Sequence, residues 1–128
     1  MQNRILVALG VVLVLQGCGD RRPSPSDVVG TYVGDLPAGA APARSVTLHL
    51  AEGNSADMVL AASAGGPSFT ETGTWALGSR GEVRVVLARD GFGPVSSDVS
   101  FSWARGTLTA VAFDTVQWGS RGFSLTRR

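Results

Sequence analysis

Residues 45–50 read Ser45-Val46-Thr47-Leu48-His49-Leu50, with an apolar side chain at every second position. Successive side chains of an extended chain point to opposite faces, so this period of two predicts a strand. Val46, Leu48 and Leu50 form its buried face, and His49 lies on the solvent face. This alternation is the observation from which the fold is inferred.

The same period returns downstream in the stretch Phe69-Thr70-Glu71-Thr72-Gly73-Thr74-Trp75, where Phe69, Glu71, Gly73 and Trp75 share one face. Segments rich in Gly, Asn, Asp and Pro, the residues that favour turns, separate such stretches. No window beyond the N-terminal 29 residues keeps a helical period long enough for a helix. We predict about eight strands, at residues 30–36, 44–51, 56–63, 68–77, 82–88, 98–104, 107–113 and 121–126.

Short connections between evenly spaced strands favour an all-β, antiparallel up-and-down meander. Eight strands can close into a small, lipocalin-like barrel, and closure removes the exposed edges that promote aggregation. The interior of such a barrel is either filled by side chains or holds one small molecule, and the sequence leaves both open. Aromatic residues are expected to supply much of the core: Phe69, Trp75, Phe101, Trp103, Phe113, Trp118 and Phe123.

The N-terminus carries the pattern of a bacterial lipoprotein signal peptide. Arg4 precedes an apolar run over residues 5–15, which has the length of a secretory signal and is too short to span a bilayer. Leu15-Gln16-Gly17-Cys18 follows it, and Cys18 is the only cysteine in 128 residues, so it has no partner for an internal disulfide. We predict cleavage between Gly17 and Cys18 and lipidation of the Cys18 thiol.

Three segments follow from this: a signal peptide at 1–17, the lipidated cysteine and a flexible tether at 18–29, and one barrel domain at 30–128. Loss of Arg4 leaves ten arginines, no lysine and ten acidic residues in the mature chain. The arginines are scattered, which argues against a nucleic-acid partner because binding phosphates needs a clustered basic surface. The predicted partner of the N-terminus is the membrane.

Several stretches resemble the N-terminal domain of the NlpE family of envelope lipoproteins, which is linked to copper homeostasis and surface sensing. They are Gly30-Thr31-Tyr32-Val33-Gly34-Asp35-Leu36-Pro37, the strand at 45–50, the strand at 69–75, and a closing hairpin at 108–114 and 123–127. The resemblance covers about residues 30–127. It implies a β-barrel and a lipid anchor.

The chain departs from that family at one motif. The family carries a Cys-x-x-Cys proposed for copper or redox chemistry, and the matching positions here are Ala38 and Ala41. Alanine cannot supply the thiolates that select Cu(I), so no metal site and no cofactor are expected. The second, OB-like domain of longer family members has no counterpart in these 128 residues.

Other chemistry is sparse. His49 is the single histidine, and no pairing of a serine or threonine nucleophile with it is indicated, so no catalytic residue and no enzymatic activity are expected. Glu71 is the one acid predicted to point into the barrel, where burial raises its pKa unless Arg84 or another arginine pairs with it. Glu71 and Arg84 therefore form the candidate polar site of the barrel.

The sequence thus suggests a membrane-anchored, non-enzymatic binding or sensing module in envelope stress or copper homeostasis, with an envelope protein as partner. An aspartate directly after the lipidated cysteine would favour retention in the inner membrane, but Gly19 has that place and Asp20 comes one place later. This predicts anchoring in the outer membrane, with the domain facing the periplasm. Two alternatives stay open: a lipocalin-like carrier of a small apolar ligand, and a β-barrel of the hydrolase-inhibitor type.

Overall fold

A computed structural model describes residues 22–38, 43–66, 68–89 and 97–128. The predicted signal peptide, Cys18 and Ala41 lie outside these residues. Eight antiparallel strands form a closed barrel in which each strand pairs with the next and β8 pairs with β1, which confirms the predicted fold class. The strands are β1 (Gly30–Leu36), β2 (Arg44–Leu50), β3 (Ser55–Ala62), β4 (Ser68–Leu77), β5 (Val83–Arg89), β6 (Ser97–Ala104), β7 (Thr107–Ala112) and β8 (Ser124–Arg127).

The strand bounds agree with the sequence-based prediction to within about a residue, except at the last strand. Two single-turn helices were not predicted, α1 (Pro25–Val28) and α2 (Thr115–Trp118), and a 3₁₀ turn spans Glu52–Asn54. The Asp114 side chain starts α2 by accepting a hydrogen bond from the Val116 amide at 2.9 Å. Gly119 and Gly122 follow with φ of +91° and +75°, a region closed to strand backbone, so β8 begins only at Ser124.

The barrel interior is packed with side chains along the described strands. Inward-facing residues from all eight strands join one hydrophobic cluster, as is usual for a barrel of this strand number. Val46, Leu48 and Leu50 are buried as predicted. Of the seven aromatic residues expected in the core, Trp75, Phe101, Trp118 and Phe123 are buried, Trp103 and Phe113 are partly buried, and Phe69 is 42% exposed.

Two glycines inside strands allow the barrel wall to close tightly. A Cβ at Gly73 in β4 would overlap the carbonyl oxygen of Val86 in β5, and one at Gly34 in β1 would overlap that of Ser124 in β8. Backbone approach of this kind excludes any side chain, so glycine is required at both positions. Gly34 lies at the seam where β1 meets β8, the contact that completes the barrel.

The two ends of the barrel differ. The connections β1–β2, β3–β4, β5–β6 and β7–β8 lie at one end, here named the long-loop end because three of the four are at least seven residues long. The connections β2–β3, β4–β5 and β6–β7, which are two to five residues long, lie at the opposite, short-loop end. β1 starts at the short-loop end, so the preceding N-terminal chain enters the barrel there.

The last residues of the predicted tether are part of the folded domain. Val28 in α1 is completely buried, and the Tyr32 hydroxyl donates to its carbonyl oxygen at 2.6 Å. Tyr32 in turn accepts from the Trp103 indole at 3.0 Å and from the Arg127 guanidinium at 2.8 Å. Arg127 also donates to the carbonyl oxygens of Asp27 and Val29. The N-terminal segment therefore closes the short-loop end, and the free tether is shorter than residues 18–29.

No helix among the described residues is long and apolar enough to cross a membrane.

Candidate functional site at the long-loop end

A buried charge lies just inside the long-loop end. Glu71 is fully buried, and its carboxylate accepts from the Arg89 guanidinium at 2.9 Å and from the Ser97 hydroxyl at 2.7 Å. The Arg89 side chain is 27% exposed and lies over the Phe69 ring, 4.4 Å from its centroid. Since an unpaired carboxylate is costly to bury, both hydrogen bonds are needed to hold Glu71 in the barrel.

The hydrogen bonds continue from Ser97 to α2. The Gln117 side chain donates to the Ser97 hydroxyl at 2.9 Å, and the Gln117 carbonyl oxygen accepts from Arg44 at 2.9 Å. Arg44 begins β2, Ser97 begins β6 and Arg89 ends β5, so these residues flank the connections of the long-loop end. Gln117 thus attaches α2 directly to β2 and β6, and through Ser97 to the Glu71–Arg89 pair of β4 and β5.

Aromatic packing holds α2 from the interior side. The Trp118 ring stacks on Phe123 with centroids 4.7 Å apart, and Phe123 makes edge contacts with Phe101 and Phe113 at 5.7 and 6.0 Å. Val116, on the opposite side of the turn, is 88% exposed. The short helix therefore covers the aromatic cluster.

A cleft of about 430 Å³ opens beside α2, between the connection that follows β1 and the one that precedes β8. Its volume falls in the range of small-molecule sites. Ala38, one of the two positions that the predicted resemblance to the NlpE family matches to cysteine, lines it. The other lining residues are Pro37, Thr115, Val116, Trp118, Gly119, Ser120, Arg121 and Gly122.

Arg84 is not the partner of Glu71. It lies on the outer wall, 61% exposed, and pairs with Asp98 at 2.7 Å. The alternation of β5 explains this: Val83, Val85 and Leu87 point inward, which places Arg89 inward and Arg84 outward. Arg84 and Arg89 are five residues apart, and an odd spacing in a strand puts two side chains on opposite faces. The arginine that pairs with Glu71 is Arg89.

Sequence reasoning also missed Arg44, Ser97 and Gln117. Extending the alternation of β6 back by two positions, from Val99 to Ser97, would have placed Ser97 inward. Gln117 belongs to α2, a single helical turn that is too short to show a helical period in the sequence. Arg44 binds the main-chain carbonyl oxygen of Gln117, and such a contact does not depend on the side chain at position 117, so the sequence does not indicate it.

His49 lies on the solvent-facing wall, as its place in the alternation predicts. Its Nδ1 and the Thr31 hydroxyl are 2.9 Å apart. Within the described residues no group of three or more His, Cys, Asp and Glu side chains is arranged to hold a metal ion.

The pair on the outer wall predicts a small, pH-dependent effect on stability. Hydrogen bonding to Arg84 lowers the pKa of Asp98 below its usual value. A carboxyl with a depressed folded-state pKa stabilises the fold above its unfolded pKa, and this contribution is lost as the pH falls through the folded value. We expect Asp98→Asn to lower the urea midpoint slightly at pH 7, and the difference from wild type to vanish as the pH falls below about 4. A difference that persists at pH 2 would contradict this assignment.

Comparison with known proteins supports the architecture. No family model matches the chain, and no curated protein matches its sequence. Among solved structures, the chain is similar to a crystal structure of a "putative lipoprotein" from Shewanella oneidensis, with a TM-score of 0.54 and 19% sequence identity. The match covers 82% of this chain and 94% of that one. At this identity the likeness shows a shared fold, and the resemblance to the NlpE family stays a prediction.

Proposed function

We propose that this protein is a lipid-anchored protein of the bacterial cell envelope and that its barrel is a non-enzymatic binding or sensing module. The observation that carries the proposal is the position of the N-terminal segment. The chain that would bear the lipid enters at the short-loop end, where Tyr32 and Arg127 hold residues 27–29. The membrane anchor and the long-loop end are thereby at opposite ends of the barrel.

The length of the remaining tether supports this orientation. Arg22 and Pro23 lie beside Gly81 at the short-loop end, so only residues 19–21 separate Cys18 from the part of the chain held on the barrel, and three extended residues reach about 10 Å. A tether of this length keeps the short-loop end close to the bilayer and turns the long-loop end toward its surroundings. Binding residues of barrels commonly lie on longer connections that a rigid scaffold positions.

The more specific part of the proposal is a role of the NlpE type, in envelope stress or copper homeostasis, carried out through contact with an envelope protein. The positions of the family's cysteine pair are alanines here, so we propose recognition through the long-loop end without thiolate chemistry. The single histidine is bonded to Thr31 on the outer wall, away from this end, and we assign it no catalytic role.

The proposal also assigns a membrane to the protein. Gly19, and not an aspartate, follows Cys18, which favours sorting to the outer membrane with the barrel in the periplasm. Durable anchoring requires at least two acyl chains, because each buried CH₂ contributes only about 0.8 kcal/mol.

Expression of the full chain in a bacterium tests the anchor. We expect the mature protein to begin at a lipid-modified Cys18 by mass spectrometry and to fractionate with outer membrane. Cys18→Ser should abolish the modification and leave residues 1–17 uncleaved. A matched Gly19→Asp variant should still be lipidated but move to the inner membrane.

An unmodified thiol at Cys18 in the wild-type protein would refute the anchor. Recovery of wild-type protein with the inner membrane alone would refute the sorting while leaving the anchor in place.

Deletion of the gene for this protein tests the role of the NlpE type. We expect the deletion strain to differ from the parent strain in the output of an envelope-stress reporter or in copper sensitivity. If neither the reporter output nor the copper sensitivity changes, that role is refuted.

A further inference from the structure

Arginines that are scattered along the sequence meet at the short-loop end of the barrel. Arg80 lies in the turn between β4 and β5, Arg105 in the turn between β6 and β7, and Arg127 ends β8 at this end. Arg22 joins them from the N-terminal segment, because a Cβ at Gly81 would lie 3.8 Å from the Arg22 Cγ. Closure of the barrel therefore gathers positive charge that is dispersed in the chain.

Three of these arginines are exposed and have no acidic partner among the described residues, namely Arg22, Arg80 and Arg105. Arg127 differs from them, because it binds the carbonyl oxygens of the N-terminal segment. On the rest of the described barrel, Arg121 at the long-loop end is a comparable exposed arginine. The guanidinium groups that are free to bind an anion are thus concentrated at the short-loop end.

The acidic residues at the same end are mostly engaged within the protein. The Asp27 carboxylate accepts from the Ser24 amide at 2.9 Å and from its hydroxyl at 3.0 Å. Glu82 is half-buried and accepts from the Arg80 amide at 3.4 Å, so it bends back over its own turn. Glu52 is exposed and is the acidic side chain there that no described residue binds. The short-loop end therefore offers more free guanidinium groups than free carboxylates.

The position of the predicted lipid brings a negatively charged surface within reach of these arginines. Residues 19–21 are the only residues between Cys18 and the part of the chain held on the barrel, and they reach about 10 Å. The Debye length at physiological ionic strength is about 8 Å, so a bilayer at this distance still attracts the exposed charges. Planar guanidinium groups also match phosphate oxygens in geometry.

We propose that the short-loop end is a membrane-binding face, in which Arg22, Arg80 and Arg105 bind the phosphate groups of anionic phospholipids. The barrel then rests on the bilayer surface, and its long-loop end points away from it. This inference rests on the proposed function, since the lipid anchor supplies the bilayer. The arginine contacts themselves do not require lipidation, so they can be tested without the anchor.

Binding of residues 19–128 to vesicles tests this face. This part of the chain contains every described element of the fold and lacks Cys18, the only cysteine. Vesicles of phosphatidylglycerol at low salt are the probe, and vesicles of phosphatidylcholine, whose headgroup has no net charge, are the control. Cosedimentation measures the bound fraction. We expect binding to phosphatidylglycerol alone, and its loss at 1 M salt, where the Debye length falls to about 3 Å.

Two double variants with the same net charge separate the face from the rest of the barrel. An arginine near an anionic surface strengthens binding about fivefold, so Arg80→Gln with Arg105→Gln should weaken binding about 10- to 30-fold. Arg84→Gln with Arg121→Gln removes the same charge from the outer wall and the long-loop end, and it should leave binding nearly unchanged. Thermal unfolding of both variants checks that the fold is intact.

Three results would overturn the proposal: no binding to phosphatidylglycerol vesicles, equal binding to phosphatidylcholine vesicles, or equal weakening by the two double variants. The third result would show attraction by net charge without a binding face. None of them bears on the anchor, which is decided by the modification of Cys18 in the full chain. An unmodified Cys18 would in turn refute the anchor and leave the measured vesicle binding as it stands.

Discussion

Glu71→Gln is expected to lower the free energy of unfolding by about 3 kcal/mol, because it removes one partner of a buried ion pair and leaves the other in place. The Glu71 carboxylate is fully buried and holds both the Arg89 guanidinium and the Ser97 hydroxyl. A neutral amide cannot compensate the charge of Arg89, whose side chain is only 27% exposed. The loss should also loosen α2, since Ser97 carries the hydrogen bond from Gln117.

Urea unfolding at pH 7, followed by circular dichroism, measures this effect. Asp98→Asn is the matched control, because it removes the same type of charge from an exposed pair, and it should shift the midpoint only slightly. The double variant Glu71→Leu with Arg89→Met should be less destabilised than the sum of its single changes, because neither charge is then left alone. A Glu71→Gln midpoint equal to that of Asp98→Asn would show that the buried pair does not stabilise the barrel.

Gly73→Ala is the second change with a large expected effect, a loss of about 3 kcal/mol or failure to fold. The added methyl would overlap the Val86 carbonyl oxygen and lie 2.9 Å from the Leu87 Cα. Both atoms belong to the backbone of β5, so relief requires a shift of the strand rather than a side-chain rotation. Overpacking of a rigid site costs about 1–3 kcal/mol and occasionally more.

Gly53→Ala provides the comparison for this prediction. Gly53 has φ of +80° in the turn before β3, and a Cβ there would meet no atom within 4 Å. It should lose only about 1 kcal/mol, from backbone strain alone. Soluble yield and the urea midpoint are measured for both variants. Equal stability of the two would mean that β4 and β5 can separate at Gly73 without loss.

The functional residues could be predicted only in part. The strand period places Glu71 inside the barrel, and this is correct. The prediction that Arg84 is its partner is wrong, because Arg84 lies on the outer face of β5 and Arg89, five residues later, lies on the inner face. The cleft was not predicted, since its walls are brought together by barrel closure and are far apart in the chain.

The N-terminal segment was also predicted only in part. Ser24 and Asp27 form a helix start by local hydrogen bonds, yet the segment reads as a tether because it is short and rich in proline and serine. Its attachment depends on Tyr32, four residues after Val28, and on Arg127, which is 100 residues from Asp27.

The sequence by itself determined the strands, their order and the faces that they bury. These properties follow from side-chain alternation and from turn residues, both of which act over a few neighbouring positions. Only the tertiary structure decided that Arg89 holds Glu71, that α2 covers an aromatic cluster beside a cleft, and that the N-terminal segment closes the opposite end. The hydrogen bonds from Arg89 to Glu71, from Arg44 to Gln117 and from Arg127 to Asp27 join residues between 18 and 100 positions apart, and they form only when the strands have closed into a barrel.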